Sequence, residues 1–279
     1  MSGLVEHLAR SSLVVVQGYG HRYVQTSVGR VHVLEKNQRG PLAPLVLLHG
    51  LSSAGVHYYR MLKHLSQVSR VLLPDLPGHG FSDAPAQLDE AAMMAGLFEA
   101  LDALIDRPTV ICGNSLGGYT AIRYALARPQ KVLGLVLASP GGASMGPEEM
   151  RVLREKFRIS SHHDALDFAD ALFARRSRIR HFYAMGLRRY FRLPQTLAVL
   201  EGMALSQLFT PAQLSSLQMP VLLLWGAAER ILPASHLKFF VDHLPKHAVI
   251  ERPANWGHSP FLDDPRGFAR RIVKFEEGL

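Results

Sequence analysis

Residues 109–118 read Thr-Val-Ile-Cys-Gly-Asn-Ser-Leu-Gly-Gly, and that order decides the fold. The first four residues are apolar or β-branched, as a strand buried on both faces requires. The residues from 117 to 127 carry a helical pattern. Between strand and helix lies G-x-S-x-G, from Gly113 through Asn114, Ser115 and Leu116 to Gly117. A serine on so sharp a strand–turn–helix junction has a strained backbone and an exposed hydroxyl. Gly113 and Gly117 are needed because side chains there would strike the neighbouring strand and helix. The helix start beside the serine supplies free amides and the positive end of a dipole. The arrangement is that of an activated nucleophile.

Outward from this junction, short apolar runs alternate with longer helical patterns. Strands are predicted at 13–17, 23–26, 31–35, 45–49, 70–73, 109–112, 132–138, 221–225 and 247–251, and the later ones are almost wholly apolar. Helices are predicted at 58–66, 88–106, 117–127, 234–243 and 265–277. Such alternation predicts an α/β, mainly parallel, doubly wound sheet. The rhythm breaks between 142 and 216, where only helical patterns occur, at 147–157, 165–174, 179–189 and 195–204. That is too long for a crossover and too structured for a loop. It reads as a helical cap inserted into a core made of residues 1–141 and 217–279. Apolar cap residues such as Phe168, Leu187, Met185, Leu197 and Met203 are expected to line or cover a pocket, or to be core. Residues 4–13 also fit a short amphipathic helix, with Leu4, Val5, Leu8 and Ser12 on one face, either docked or lying on a membrane surface.

A serine hydroxyl needs a base, and the base an orienting carboxylate. Of the 14 histidines, His258 falls in the loop after the last predicted strand, on the sheet edge that carries Ser115. Glu229 falls in the loop after strand 221–225, on the same edge; the plain alternative is an exposed acid paired with Arg230. The chain order is then nucleophile, acid, base. Two backbone amides are needed for a developing oxyanion. Those of Leu116, next to the serine, and Leu51, after strand 45–49, are the candidates, with Gly50 allowing close approach. His49 reads as a turn-packing residue.

These pieces resemble the α/β-hydrolase superfamily, serine-nucleophile branch, over essentially the whole chain. The matching segments are LVLLHGL (45–51), DLPGHGFSD (75–83), GNSLGG (113–118), WGAAERILP (225–233) and GHSPFLDDP (257–265). The resemblance implies Ser115 as nucleophile, His258 as base, Glu229 as acid, Leu51 and Leu116 as oxyanion amides, and residues 75–83 as a structural loop. One departure is Glu229, where most relatives carry Asp. Position 115 is Ser, which disfavours the dehalogenases and epoxide hydrolases that use Asp. Asn114 is similar to bacterial lipases and monoacylglycerol-lipase-like carboxylesterases, and to carbon–carbon hydrolases of ring-fission products. The latter typically carry Trp soon after the histidine; here Ser259-Pro260-Phe261 follows. Ester hydrolysis on apolar acyl chains is therefore expected. Carbon–carbon hydrolysis, acyl transfer and a non-catalytic ligand-binding module are the alternatives.

Composition excludes other classes. The chain has 279 residues, 48% of them hydrophobic, and a formal charge of +8. It is neither disordered nor low-complexity. The single cysteine, Cys112, excludes an internal disulfide framework and a cysteine-based zinc cluster. No cofactor and no metal are expected. No apolar run reaches membrane-span length, and residues 1–16 lack the pattern of an export signal, so a cytoplasmic protein is expected. Residues 175–192 hold seven arginines and no acid, interleaved with aromatics. With no nucleic-acid module present, nucleic acid is not expected. A solvated helix face is the plain reading, and weak contact with an anionic lipid surface or an acidic substrate is the other. The expected partner is a small-molecule ester.

Overall fold

A computed structural model describes residues 3–85, 88–202 and 205–279. The strands are β1 (Gly20–Thr26), β2 (Gly29–Asn37), β3 (Leu45–Leu48), β4 (Arg70–Pro74), β5 (Thr109–Asn114), β6 (Val132–Ala138), β7 (Val221–Leu224) and β8 (Val249–Glu251). They form one sheet in the order β1-β2-β4-β3-β5-β6-β7-β8. β1 and β2 pair antiparallel, as do β2 and β4; the other neighbours are parallel. This is the mainly parallel, doubly wound α/β sheet expected.

Both faces of the sheet are covered. Val46 and Leu48 of β3 belong to one apolar core, Leu45 and Leu47 to the other. Period-two alternation thus sends successive residues of one run into two cores, and the run must be apolar throughout. The helices in chain order are α1 (Leu4–Val15), α2 (Tyr59–Leu62), α3 (Glu90–Leu104), α4 (Leu116–Ala127), α5 (Pro147–Lys156), α6 (His162–Leu172), α7 (Arg180–Tyr190), α8 (Pro194–Gly202), α9 (Pro211–Ser215), α10 (Ala234–His243), α11 (Pro260–Asp263) and α12 (Pro265–Glu276). α3 and α4 pack on the first core and α12 on the second. Asp89 caps α3 by accepting the Ala92 amide at 2.8 Å, and Asp264 caps α12 by accepting that of Gly267 at 2.8 Å. α5 to α9 all fall between β6 and β7.

Three local expectations are corrected. Residues 13–15 lie in α1, not in a strand at 13–17. The β-branched run misleads because one residue in it, Leu13, is fully buried while Val15 and Val16 are exposed, a helical rather than an alternating pattern. The buried face of α1 accordingly runs through Ala9 and Leu13; Leu8 and Ser12 face solvent. Instead of a helix over 58–66, a 3-10 turn at Gly55–Tyr58 leads into the single turn α2. Among the described residues, no helix is long and apolar enough to cross a membrane.

Candidate active site

The sheet register explains how distant residues converge. Leu48 of β3 pairs with Gly113 of β5, Asn114 with Ala138 of β6, Ala138 with Leu224 of β7, and Leu224 with Glu251 of β8. The loops that follow leave one edge together. The chain also reverses its direction of travel here, since β4 and β5 flank β3 on opposite sides. Such a switch point opens a crevice at the carboxyl ends of the strands.

Ser115 has φ 55° and ψ −117°. Holding a serine in this region costs about 1–3 kcal/mol. The conformation is pinned by the Ser115 amide donating to the Ala138 carbonyl at 3.1 Å, and by the Tyr119 and Gly141 amides donating to the Ser115 carbonyl at 3.0 Å. A β-carbon on Gly113 would fall on the Gly117 carbonyl, and one on Gly117 would fall on the Leu48 carbonyl. Only glycine permits that packing. A β-carbon on Gly50 would sit 3.2 Å from that of Ser115, so the β3 loop lies directly against the serine. Among the described residues, the amides of Leu51 and Leu116 donate to no protein acceptor, and both residues line the same cavity as Ser115.

His258 and Glu229 are buried together, their side chains 5% and 4% exposed, with His258 Nδ1 donating to Glu229 Oε2 at 2.8 Å. The second oxygen, Oε1, accepts the amides of Ile231 at 2.7 Å and Leu232 at 3.1 Å. Burial opposes ionisation of this carboxyl, but the His258 ring and these bonds outweigh it and pull the group down to about 2. Glu229 is thus not an exposed partner of Arg230. The Arg230 guanidinium instead donates to the carbonyls of Asp170 and, at 2.6 Å, Phe173.

Asn114 ties the histidine loop to the serine turn. Its Nδ2 donates to the His258 carbonyl at 2.8 Å and to the Ala138 carbonyl at 3.0 Å. Among the described residues no hydrogen bond joins the Ser115 hydroxyl to the His258 ring, a link that often tightens only around substrate. His49 shapes the neighbouring loop. Its Nδ1 donates to the Gly50 carbonyl at 2.8 Å, and its Nε2 accepts the Leu76 amide at 3.0 Å. Burial holds its pKa down, so the ring is neutral. In the 75–83 loop, Asp75 accepts from His32, Gly55 and Phe81 at 2.9, 2.7 and 2.9 Å. It braces the β3 loop.

Sequence reasoning missed three residues. Arg230 is one. Asp263 is the second: it accepts the amides of Gly257 at 2.7 Å and Ala174 at 3.1 Å, joining the histidine loop to the segment after α6. Its place beside the histidine in GHSPFLDDP was the available signal. The third is His236, one of many histidines with nothing in the sequence to single it out.

Ser115 opens into a cavity of about 80 Å³. Its walls are mainly apolar: Leu51, Met93, Met145, Leu153, Phe157 and Val199 contribute. The polar members are Glu90, Tyr119, Gln207 and His236, with the Tyr119 hydroxyl donating to Glu90 at 2.8 Å. Met145, Leu153, Phe157 and Val199 come from between β6 and β7. Of the residues expected to line or cover a pocket or to be core, Phe168 and Leu187 are core, Met185 and Leu197 are exposed, and Met203 lies outside the described residues. Among the described residues, no cluster of three or more His, Cys, Asp or Glu could hold a metal ion. Cys112 is buried, and burial pushes its thiol up, away from reactivity.

A family model described as alpha/beta hydrolase fold matches residues 43–265. The pimeloyl-[acyl-carrier protein] methyl ester esterase of Nitrosomonas europaea is 31% identical over 254 residues, covering 85% of this chain and 96% of that one. The carboxylesterase CesB of Bacillus subtilis superposes with a TM-score of 0.79 at 20% identity, over 99% of this chain and 98% of that one. The 2-hydroxy-6-oxo-6-phenylhexa-2,4-dienoate hydrolase of Rhodococcus sp. strain RHA1 also gives 0.79 at 20% identity, over 92% and 98%. The two structural likenesses speak to the fold alone.

Proposed function

The chain belongs to the α/β-hydrolase fold family, and from that premise we propose that it is a serine hydrolase cleaving carboxylic esters of apolar acyl chains. The observation that carries this reading is the buried 2.8 Å Glu229–His258 pair beside a backbone-strained Ser115. A pairing of this kind holds a neutral imidazole with its other nitrogen free to take a proton. The esterase relative supports the ester as the bond cleaved. The apolar cavity supports an apolar acyl chain.

In this mechanism Ser115 Oγ attacks the ester carbonyl as His258 Nε2 takes its proton. The amides of Leu51 and Leu116 hold the oxyanion. Collapse of the tetrahedral intermediate expels the alcohol, which receives the proton from His258, and leaves an acyl-Ser115. Water, deprotonated by the same imidazole, releases the acid and restores the serine. Glu229 stays ionised throughout, orienting the ring and stabilising its charged form. Residues 142–216 act as a cap over the acyl pocket in this reading. Arg230 and Asp263 then serve as its rivets to the acid and histidine loops.

The test is turnover of p-nitrophenyl esters from acetate to palmitate by wild type and Ser115→Ala. Activity with a chain-length optimum, abolished in the variant, supports the reading. Inactivity of folded wild type on every ester overturns it. Carbon–carbon hydrolysis is the second reading, favoured by Asn114 at the second position of the serine turn. It is distinguished by decolorisation of a vinylogous diketone.

A further inference from the structure

His236 opens the helix that follows the Glu229 loop. The residue lines the same cavity as Ser115, yet it is only 1% exposed. Among the described residues, neither ring nitrogen has a hydrogen-bond partner. Buried polar groups are almost always paired, and an orphan in a pocket wall calls for a partner that the pocket receives from outside. The adjacent groups are already engaged. Glu149 takes the hydroxyl of Ser235, Lys156 donates to the carbonyls of Arg230 and Ile231 at 3.3 and 3.2 Å, and Glu229 is committed to His258 and two amides.

Burial pushes the imidazole down to about 4, so the ring is neutral at working pH and offers one N–H and one lone pair. A hydroxyl group, which both donates and accepts, satisfies either tautomer. An anion does not suit the site. The ring carries no charge, and the other ionisable groups in or beside the cavity include the Glu90 and Glu229 carboxylates. Arg123 lies 3.9 Å from Glu90 and answers that carboxylate rather than the ring.

We infer that His236 is a substrate-binding residue that hydrogen-bonds an uncharged hydroxyl carried by the ester, so that hydroxylated esters are preferred over plain alkyl esters of the same length. The inference rests on the ester-hydrolase reading above. The hydroxyl has two sources, a hydroxyacyl chain or a polyol alcohol such as glycerol, and the same chemistry recognises both.

The experiment compares kcat/KM within matched pairs. Methyl octanoate is set against a series of methyl hydroxyoctanoate isomers, and propyl octanoate against 1-monooctanoylglycerol. Wild type, His236→Phe and His236→Gln are assayed by pH-stat. The readout is the ratio within each pair, which a general folding defect does not move. Wild type is expected to prefer at least one hydroxylated member by about tenfold. That ratio falls to near one in His236→Phe and is partly restored in His236→Gln. The pair showing the effect identifies the source of the hydroxyl. Ratios near one throughout in wild type, or a preference that survives His236→Phe, overturn the inference.

If wild type hydrolyses no ester, the ester reading fails separately. The subsite is then read by calorimetric binding of octanol and 1,8-octanediol to Ser115→Ala protein. Tighter binding of the diol, lost when His236→Phe is added, supports the hydroxyl site. Equal binding of the two overturns it.

Discussion

Glu229 reaches the Nδ1 of His258 at 2.8 Å with one carboxylate oxygen while the other oxygen is locked by the amides of Ile231 and Leu232. The extra methylene of Glu over Asp is thereby accommodated by the loop. The carboxylate is anchored on two sides, so its orientation is fixed before substrate arrives. Replacing it with Gln keeps the volume but offers the ring the wrong tautomer. The expected result for Glu229→Gln is a loss of kcat of about 10³–10⁴, by analogy with the same exchange in other triads. Glu229→Asp, one carbon shorter, cannot span both the amides and the ring and is expected to lose part of kcat with little change in KM. Steady-state kinetics on p-nitrophenyl esters decide the matter. Near-full activity in Glu229→Gln would remove this residue from the proposed triad.

Asn114 carries a second prediction. It is 3% exposed, and its amide satisfies the His258 and Ala138 carbonyls. Asn114→Ala strands the buried His258 carbonyl at a cost of about 1–3 kcal/mol, while the Ala138 carbonyl keeps the Ser115 amide. The melting temperature should fall by about 5 °C or more. Because the His258 backbone is the group released, kcat should fall by about tenfold with KM largely unchanged. Differential scanning calorimetry and kinetics on one preparation separate the two effects. Loss of stability with kcat intact would confine Asn114 to a packing role.

What the sequence made legible follows from how local each signal was. The strand–turn–helix at 109–118 announced itself because sterics at Gly113, Ser115 and Gly117 act within a few residues. The buried parallel strands were legible for a similar reason, since a run that feeds two cores must be apolar throughout. Residues 13–15 misled because β-branched composition outweighed periodicity until the burial of Leu13 alone was visible. The pocket wall was illegible. Whether Phe157 or Phe168 faces the cavity depends on how the helices between β6 and β7 pack, which no local pattern encodes. His236 was hidden for the same reason: only the fold shows that its ring is buried and, among the described residues, unpaired.

Glycine sterics give a graded pair. At Gly117 a β-carbon would overlap backbone carbonyls of residues 48 and 49, which have no room to retreat inside the sheet. Gly117→Ala should therefore fold poorly or lose activity outright. At Gly50 an added β-carbon would lie 3.2 Å from the Ser115 β-carbon and 3.4 Å from the Asn114 carbonyl oxygen. Gly50→Ala should fold, with a small backbone shift that displaces the Leu51 amide. Since one misplaced oxyanion donor costs about 10²–10³ in kcat, a loss approaching that size is expected with soluble, cooperatively melting protein. Unchanged kcat in Gly50→Ala would argue that the Leu51 amide is not an oxyanion donor.

Glu276, on α12 against the second core, sets a pH-dependent cost that has nothing to do with the site. It is 5% exposed, and among the described residues neither carboxylate oxygen has a partner. Burial pushes its carboxyl up to about 8. Below the unfolded value of 4.5 the group is protonated in both states and costs nothing through ionisation. As pH rises from there to about 8, the unfolded chain releases this proton first. The folded state then binds more protons, and stability falls with pH by up to about 1.4 kcal/mol per unit. Glu276→Gln cannot ionise and escapes that slope. Urea unfolding at pH 5, 6.5 and 8 should show variant and wild type nearly equal at the lowest pH. The variant should gain a few kcal/mol by the highest, on the order of the shift converted at 1.36 kcal/mol per pKa unit. A difference that stays flat across this range would mean that the carboxylate is ionised and hydrated in the folded protein, and that the end of α12 opens to solvent.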